Sequence, residues 1–289
     1  MYMSTQTISS SQASKELNVF SVLMSVYFQT KAEYLQQALD SIWTHQTLKP
    51  GQIVIVVDGI ISQEVANTIR KWEMSLGETI TRVVLDKNSG LAVAMNTGLR
   101  FCRHELVARM DSDDVSVSDR FEKQVNYFGT HPEVAVLGGQ VEEKNEALTE
   151  VWGYRHVPTE MGAIDRFIKY RSPMNHPSVM FRRDAILKIG GYPLNIYPED
   201  YLLWVKLLVN NNVLANLPDV LLQMRVEHAV NARRGRRMLI GELKTYQYLY
   251  QLNVLNLFEY GIAIVGRSVL RLSPMLLKRF FYFIHRNNF

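Results

Sequence analysis

The sequence predicts an α/β fold on a mostly parallel central sheet, and two observations carry that expectation. Between Phe20 and Met110, apolar β-rich segments alternate four times with segments of helical periodicity. That alternation is the sequence form of strands joined by helical crossovers. Polar clusters then follow three of the strand segments, at Asp58, at Asp86–Gly90 and at Asp111–Asp114. Open α/β sheets bind ligands outside the carboxyl ends of their strands, so three clusters at equivalent positions point to one binding region.

The elements follow in order. Phe20–Tyr27 is nearly continuous in apolar residues, as a strand buried on both faces requires. Leu35, Ala38, Leu39, Ile42 and Trp43 keep the i, i+3, i+4, i+7, i+8 spacing of a helix. Pro50-Gly51 breaks the chain, and Ile53–Val57 forms a second strand ending at Asp58-Gly59. Val65, Ile69, Trp72 and Leu76 mark the next helix, Ile80–Leu85 a third strand and Leu91–Phe101 a third helix. Leu106–Met110 is the fourth strand, and it runs directly into the three carboxylates. Beyond it, Phe121, Val125 and Phe128 predict a helix and Val134–Leu137 a strand, while the acidic stretch Val141–Val151 reads as a peripheral strand or loop. Glu199 and Asp200 open an amphipathic helix with Leu203, Leu207 and Leu208 on one stripe, and Leu239–Leu257 reads as one helix.

Composition narrows the class. A hydrophobic fraction of 47% and a charged fraction of 21% belong to a packed globular chain, and 289 residues hold one large domain with at most an appendage. The one cysteine, Cys102, excludes an internal disulfide. No secretory leader and no apolar run of spanning length are visible, so the chain reads as cytosolic or peripheral to a membrane. From Arg225 onward, eleven Lys and Arg face only Glu227, Glu242 and Glu259, so with an overall formal charge of +4 the preceding body is net acidic. That argues against nucleic acid as a partner of the body and for an anionic partner of the tail.

The acidic stretch carries the chemistry. Residues i and i+2 of an extended segment point the same way, so Asp111 and Asp113 can converge on one divalent cation. Hard oxygen ligands suit Mg²⁺ or Mn²⁺; an acidic helix cap is the plainer alternative. No G-x-G and no G-x-x-x-x-G-K-[ST] occurs, so neither the dinucleotide fingerprint nor a phosphate-cradling loop is present.

Taken together, Val-Tyr27, Val-Val-Asp58-Gly59, Asn88-Ser-Gly90 through Asn96-x-Gly98, and Ala-Arg109-Met-Asp111-Ser112-Asp113-Asp114 resemble the nucleotide-binding half of family 2 glycosyltransferases. The chain is similar to bacterial members that assemble O-antigen and capsule repeat units, over about residues 19–230. Ser25 stands where the family usually has Pro. The resemblance implies a GT-A fold, with a Rossmann-like nucleotide-binding half over 19–114 and an acceptor-binding half over 115–230. Flanking these would be a flexible segment over 1–18 and a helical, basic, amphipathic tail over 231–289. It also implies a UDP-sugar donor, Mn²⁺ or Mg²⁺ as cofactor and inversion at the anomeric carbon.

Residue by residue, Tyr27, Asp58, Asn88, Gly90, Asn96, Arg109, Asp111 and Ser112 would bind the nucleotide sugar, and Asp111 with Asp113 the metal. Asp114 would stand behind them. Arg109 is open to either a carboxylate partner or the nucleotide, and Asp58 to a turn-forming role. Glu199-Asp200-x-x-x-Trp204 matches the family's element in which the Asp is the catalytic base, so Asp200 with Glu199 is the expected catalytic pair; carboxylates favouring a helix N-terminus are the alternative. His176, in Asn175-His-Pro-Ser178, and Trp204 are candidates for acceptor contact. Arg225, His228 and Arg233 lie in a stretch resembling a basic loop that closes over the diphosphate.

The implied reaction moves Glc or Gal, in a β-1,3 linkage, to an undecaprenyl-diphosphate-linked saccharide. From Leu270 onward, Leu and Phe alternate with Arg271, Lys278, Arg279 and Arg286, the pattern of a helix lying in a membrane interface. The expected location is therefore the cytoplasmic face of the inner membrane, held peripherally by anionic lipids, with a homodimer left open. A sugar-1-phosphate nucleotidyltransferase and a non-catalytic, membrane-bound nucleotide-sugar-binding subunit are the rival readings.

Overall fold

The computed structural model describes residues 20–194, 196–226 and 235–272. The tail helix expected from Leu270 therefore lies almost wholly outside the described residues. The chain divides into two compact units, Met1–Val136 with Met180–Asp184, and Leu137–Val179 with Ala185–Phe289.

In the first unit the predicted alternation is present: β1 (Phe20–Val26), α1 (Ala32–Ile42), β2 (Gln52–Asp58), α2 (Gln63–Leu76), β3 (Ile80–Leu85), α3 (Leu91–Phe101) and β4 (Leu106–Asp111), then a two-residue β5 (Val115–Ser116) and α4 (Arg120–Thr130). The strands lie in the order β3-β2-β1-β4 and all pair in parallel. On the far side of β4 the short β8 (Met180–Arg182) pairs antiparallel, brought back from seventy residues downstream. The two most continuous apolar runs, β1 and β2, are buried almost throughout, whereas the edge strand β3 turns Arg82 and Val84 outward. Helix α3 approaches the sheet closely at Gly98, where a Cβ would stand 2.4 Å from Leu23 Cδ1 and 2.6 Å from Val56 Cγ2.

One polar residue sits inside this core with every valence used. Gln52 donates to Thr81 Oγ1 (3.0 Å) and the Phe101 carbonyl (2.9 Å), and its oxygen accepts from Ser21 Oγ and the Arg103 amide (both 2.8 Å). A buried amide so satisfied ties β1, β2, β3 and the end of α3 together at little desolvation cost.

The second unit contains β6 (Val134–Lys144, entered from the first unit), β7 (Val151–Arg155), α5 (Met161–Phe167), a 3₁₀ turn at His176–Ser178, α6 (Arg183–Lys188), α7 (Glu199–Val209), β9 (Val213–Arg225), α8 (Gly235–Gln251) and α9 (Leu257–Leu272). Here three expectations change. The stretch Val141–Val151 splits: β6 continues to Lys144 and pairs antiparallel with β7, because its acids are matched, Glu143 by Arg155 (2.6 Å) and Glu142 by Lys144 (3.1 Å). Helix α7 is not a one-sided amphipath. Tyr201, Leu202, Leu203, Trp204, Val205 and Leu207 are all buried, so this helix is enclosed on most sides.

The expected single helix over Leu239–Leu257 is two helices. Asn253 takes a positive φ of 57° after α8 ends. Asn256 then starts α9 with a reciprocal cap: Asn256 Oδ1 accepts from the Glu259 amide and Glu259 Oε2 from the Asn256 amide, both at 2.9 Å. That capping box satisfies two amides that a new helix would otherwise leave bare.

Candidate active site

The acidic cluster closes β4. Asp111 is half-buried, Asp113 exposed and Asp114 buried. One ligand oxygen from each lies within 4.8 Å of the others, an all-oxygen set of the kind hard divalent cations take. By distance, the buried Asp114 belongs to the same cluster as Asp111 and Asp113.

Two buried arginines stand against these acids. Arg109, two residues before Asp111 on the same face of β4, clasps it bidentately, Nη1 to Oδ2 at 2.6 Å and Nη2 to Oδ1. Of the two roles open to Arg109, the structure displays the carboxylate pair. Arg120, at the start of α4, is fully buried and donates from Nη2 to the Arg109 carbonyl (2.8 Å) and from Nε to Gln124 Oε1 (3.1 Å). Burial pushes its pKa down to about 9, and Arg109 adds repulsion, while Asp114 and Asp111 pull it back up. It is therefore cationic at neutral pH. One cation thus holds Asp111 directly and a second lies buried behind it, and both positive charges offset part of the acids' mutual repulsion.

The second strand-end cluster is held by Asp58. Its Oδ1 accepts from the Ser89 amide (2.6 Å) and its Oδ2 from the Gly90 amide (2.9 Å), while Asn88 Nδ2 reaches back to the Asp58 carbonyl (3.3 Å). Asp58 is thus a strut between the end of β2 and the loop that opens α3, more than a local turn residue. Gly59 makes this approach possible: its φ is +83°, and a Cβ there would come within 2.4 Å of the Asn88 nitrogen. Asn88 itself is exposed and Asn96 half-buried on α3. After β1, the Tyr27 amide donates to Thr30 Oγ1 (3.0 Å), and Thr30 Oγ1 lies 3.5 Å from Oγ of the buried Ser112. Tyr27, Asp58, Asn88, Gly90, Arg109, Asp111 and Ser112 thus all lie at or beside the carboxyl ends of parallel strands.

In the second unit, Glu199 and Asp200 are the first two residues of α7. Pro198 stands at the N-cap and offers no side-chain cap, so these carboxylates meet the positive end of the helix. Glu199 is buried and Asp200 half-buried, which leaves Asp200 the more accessible acid. Trp204, one turn on, is fully buried, and its Nε1 has no hydrogen-bond partner among the described residues. His176 is buried beside it: its Nε2 shares a hydrogen bond with Tyr192 Oη (3.0 Å), and its ring meets Tyr192 and Trp204 at centroid distances of 5.5 and 5.9 Å. Arg225 ends β9 rather than sitting in a loop, and its Nε donates to the Glu146 carbonyl (3.0 Å). His228 and Arg233 lie outside the described residues.

Sequence reasoning missed Arg120 and Gln124. The signal was there: two long polar residues four apart, on the face of α4 that also carries Phe121, Val125 and Phe128. Polar residues on an apolar face need partners.

Comparison with known proteins bears on these observations. The family described as Glycosyl transferase family 2 matches residues 21–190. The amylovoran biosynthesis glycosyltransferase AmsE of Erwinia amylovora is 37% identical over 91% of this chain and 98% of its own length. A UDP-Gal:α-D-GlcNAc-diphosphoundecaprenol β-1,3-galactosyltransferase of Escherichia coli is 34% identical over 91% of this chain and 94% of its own. Among solved structures, the mannosyltransferase PcManGT of Pyrobaculum calidifontis, in complex with GDP-Man and Mn²⁺, superposes with a TM-score of 0.60. It is 16% identical over 91% of this chain and 78% of its own, a likeness of fold.

Proposed function

The chain belongs to glycosyl transferase family 2, and on that premise we propose that it transfers a hexose, Gal or Glc, from a UDP-sugar to an undecaprenyl-diphosphate-linked saccharide. It is a glycosyltransferase of surface-polysaccharide assembly, and that membership displaces the nucleotidyltransferase and binding-subunit readings. The proposed linkage is β-1,3 and the proposed outcome inversion. The observation that carries the donor half is the triad Asp111, Asp113 and Asp114 on its two buried arginines. The E. coli relative's name supports the acceptor.

Asp200 takes the proton from the acceptor hydroxyl. That oxygen forms the new bond to C1 of the sugar as the C1–O bond to the diphosphate breaks, and UDP departs with the bonding electron pair. A base is needed because a neutral hydroxyl is a weak nucleophile, and inversion requires it on the face opposite the leaving group. Asp58 and the amides of Ser89 and Gly90 shape the loop that receives the nucleotide. Arg109 fixes Asp111, and Arg120 fixes Arg109 in turn. The acidic triad fits a hard divalent cation; Mn²⁺ or Mg²⁺ held there would offset the charge gathering on the leaving diphosphate. The enzyme would work at the cytoplasmic face of the inner membrane, where such acceptors are extended.

The test is UDP release by the purified full-length protein. UDP-Gal and UDP-Glc are supplied with a GlcNAc-diphosphate-lipid, with and without EDTA. Release that needs the lipid acceptor, stops in EDTA and returns with Mn²⁺ is expected. Release unaffected by EDTA would remove the cation, and no release with any UDP-sugar would overturn the donor.

A further inference from the structure

Helix α9 is built inside out. Two of its charged residues turn toward the protein: Glu259 pairs with Lys169 (2.9 Å), and Arg267 donates from Nε to Tyr246 Oη (3.1 Å) and from Nη2 to the Tyr170 carbonyl, with Glu242 at 3.9 Å. Its outward face carries Leu257, Phe258, Ile262 and Val265, which are 69%, 76%, 57% and 63% exposed. These residues stand at i, i+1, i+5 and i+8, one continuous stripe, and with Gly261 and Gly266 they line a shallow trough of about 810 Å³. A helix in water places its apolar stripe inward and its charges outward. Here the arrangement is reversed, and the patch is far beyond singly scattered surface apolar residues.

The charge that follows identifies what covers it. After Glu259 no acid occurs up to Phe289, while Arg271, Lys278, Arg279 and Arg286 supply four cations besides the inward-turned Arg267. A second copy would bring the same cationic stretch against itself. An anionic bilayer surface complements both the apolar stripe and the charge. No described helix is long and apolar enough to span a membrane. We propose that the outward face of α9 is a docking surface for an anionic phospholipid bilayer, lying in the interface with Phe258, Ile262 and Val265 toward the acyl chains. An enzyme extending a lipid-linked saccharide gains its substrate there, and in that respect the surface rests on the function proposed above.

The experiment uses full-length protein and vesicles without donor or acceptor. Binding is measured to vesicles of phosphatidylglycerol with phosphatidylethanolamine, and to phosphatidylcholine vesicles. Wild type binds the anionic vesicles, more weakly in high salt, and Ile262→Asp and Val265→Asp each bind at least about ten-fold more weakly. Met74→Asp, at an 81% exposed position on α2, binds as wild type. Unchanged binding by Ile262→Asp overturns the surface, as does a vesicle-free dimer that Ile262→Asp dissociates, which would make a second copy the occupant. Transfer to a short-chain, water-soluble acceptor is followed in parallel. Its failure in wild type rejects the function and leaves the vesicle result standing, and its persistence in Ile262→Asp separates docking from chemistry.

Discussion

The acids that end β4 and the acids that open α7 are the same residue types set in different surroundings. Asp111, Asp113 and Asp114 each bring an oxygen within 4.8 Å of the others; Arg109 clasps Asp111, and Arg120 lies buried behind Arg109. Glu199 and Asp200 meet the first turn of a helix, where backbone amides favour a carboxylate. The first arrangement suits a rigid set of oxygens awaiting further positive charge. The second sets a carboxylate at a helix start, open to a proton-accepting role. Under the proposed function, environment more than residue identity separates a cation ligand from a base.

The sharpest way to break that contrast is Asp200→Asn. It is nearly isosteric but cannot take a proton, so turnover should fall roughly 10²- to 10⁴-fold while UDP affinity and melting temperature stay as in wild type. If Glu199→Gln is the inactive variant instead, the base is the other acid. Arg120→Met tests the opposite property. Removing one charge from a buried ionic cluster costs about 3–5 kcal/mol, so thermal unfolding should shift strongly downward before any assay of activity. An unchanged melting temperature would mean that the acids do not depend on that cation.

Asp113→Asn probes the exposed member of the triad. We expect Mn²⁺ affinity, read by calorimetry, to drop roughly 10- to 100-fold with stability retained. Equal Mn²⁺ binding by variant and wild type would place the cation elsewhere. The smallest effect belongs to Gly59→Ala. A side chain at φ +83° with backbone 2.4 Å away should destabilise by more than about 1 kcal/mol and weaken UDP binding through the Asn88–Gly90 loop. A Gly59→Ala protein with normal UDP affinity would show that this loop's shape does not matter to the nucleotide.

Much of the first unit was legible because its signals are local. Continuous apolar runs such as Phe20–Val26 and Ile53–Val57 can be satisfied only by burial on both faces, and helical periodicity between them leaves parallel crossovers as the solution. The Asn256-x-x-Glu259 capping box is an equally local signal, and it marks a helix start inside the stretch Leu239–Leu257. The same rule that found the other helices would have placed the break.

What the amino-acid order determined by itself was the alternation of strand and helix, the strand-end positions of Asp58, Asn88–Gly90 and Asp111–Asp114, and the linked motifs that resemble the family. Each depends on neighbours within a few residues, where the periods of strand and helix act directly. Tertiary structure alone decided which acids have fixed cations, that β8 returns to pair with β4, that α7 is enclosed, and that Glu259 and Arg267 of α9 turn inward. Those outcomes depend on contacts between residues distant in sequence, such as Lys169 with Glu259, and such pairings leave no period in the chain to read.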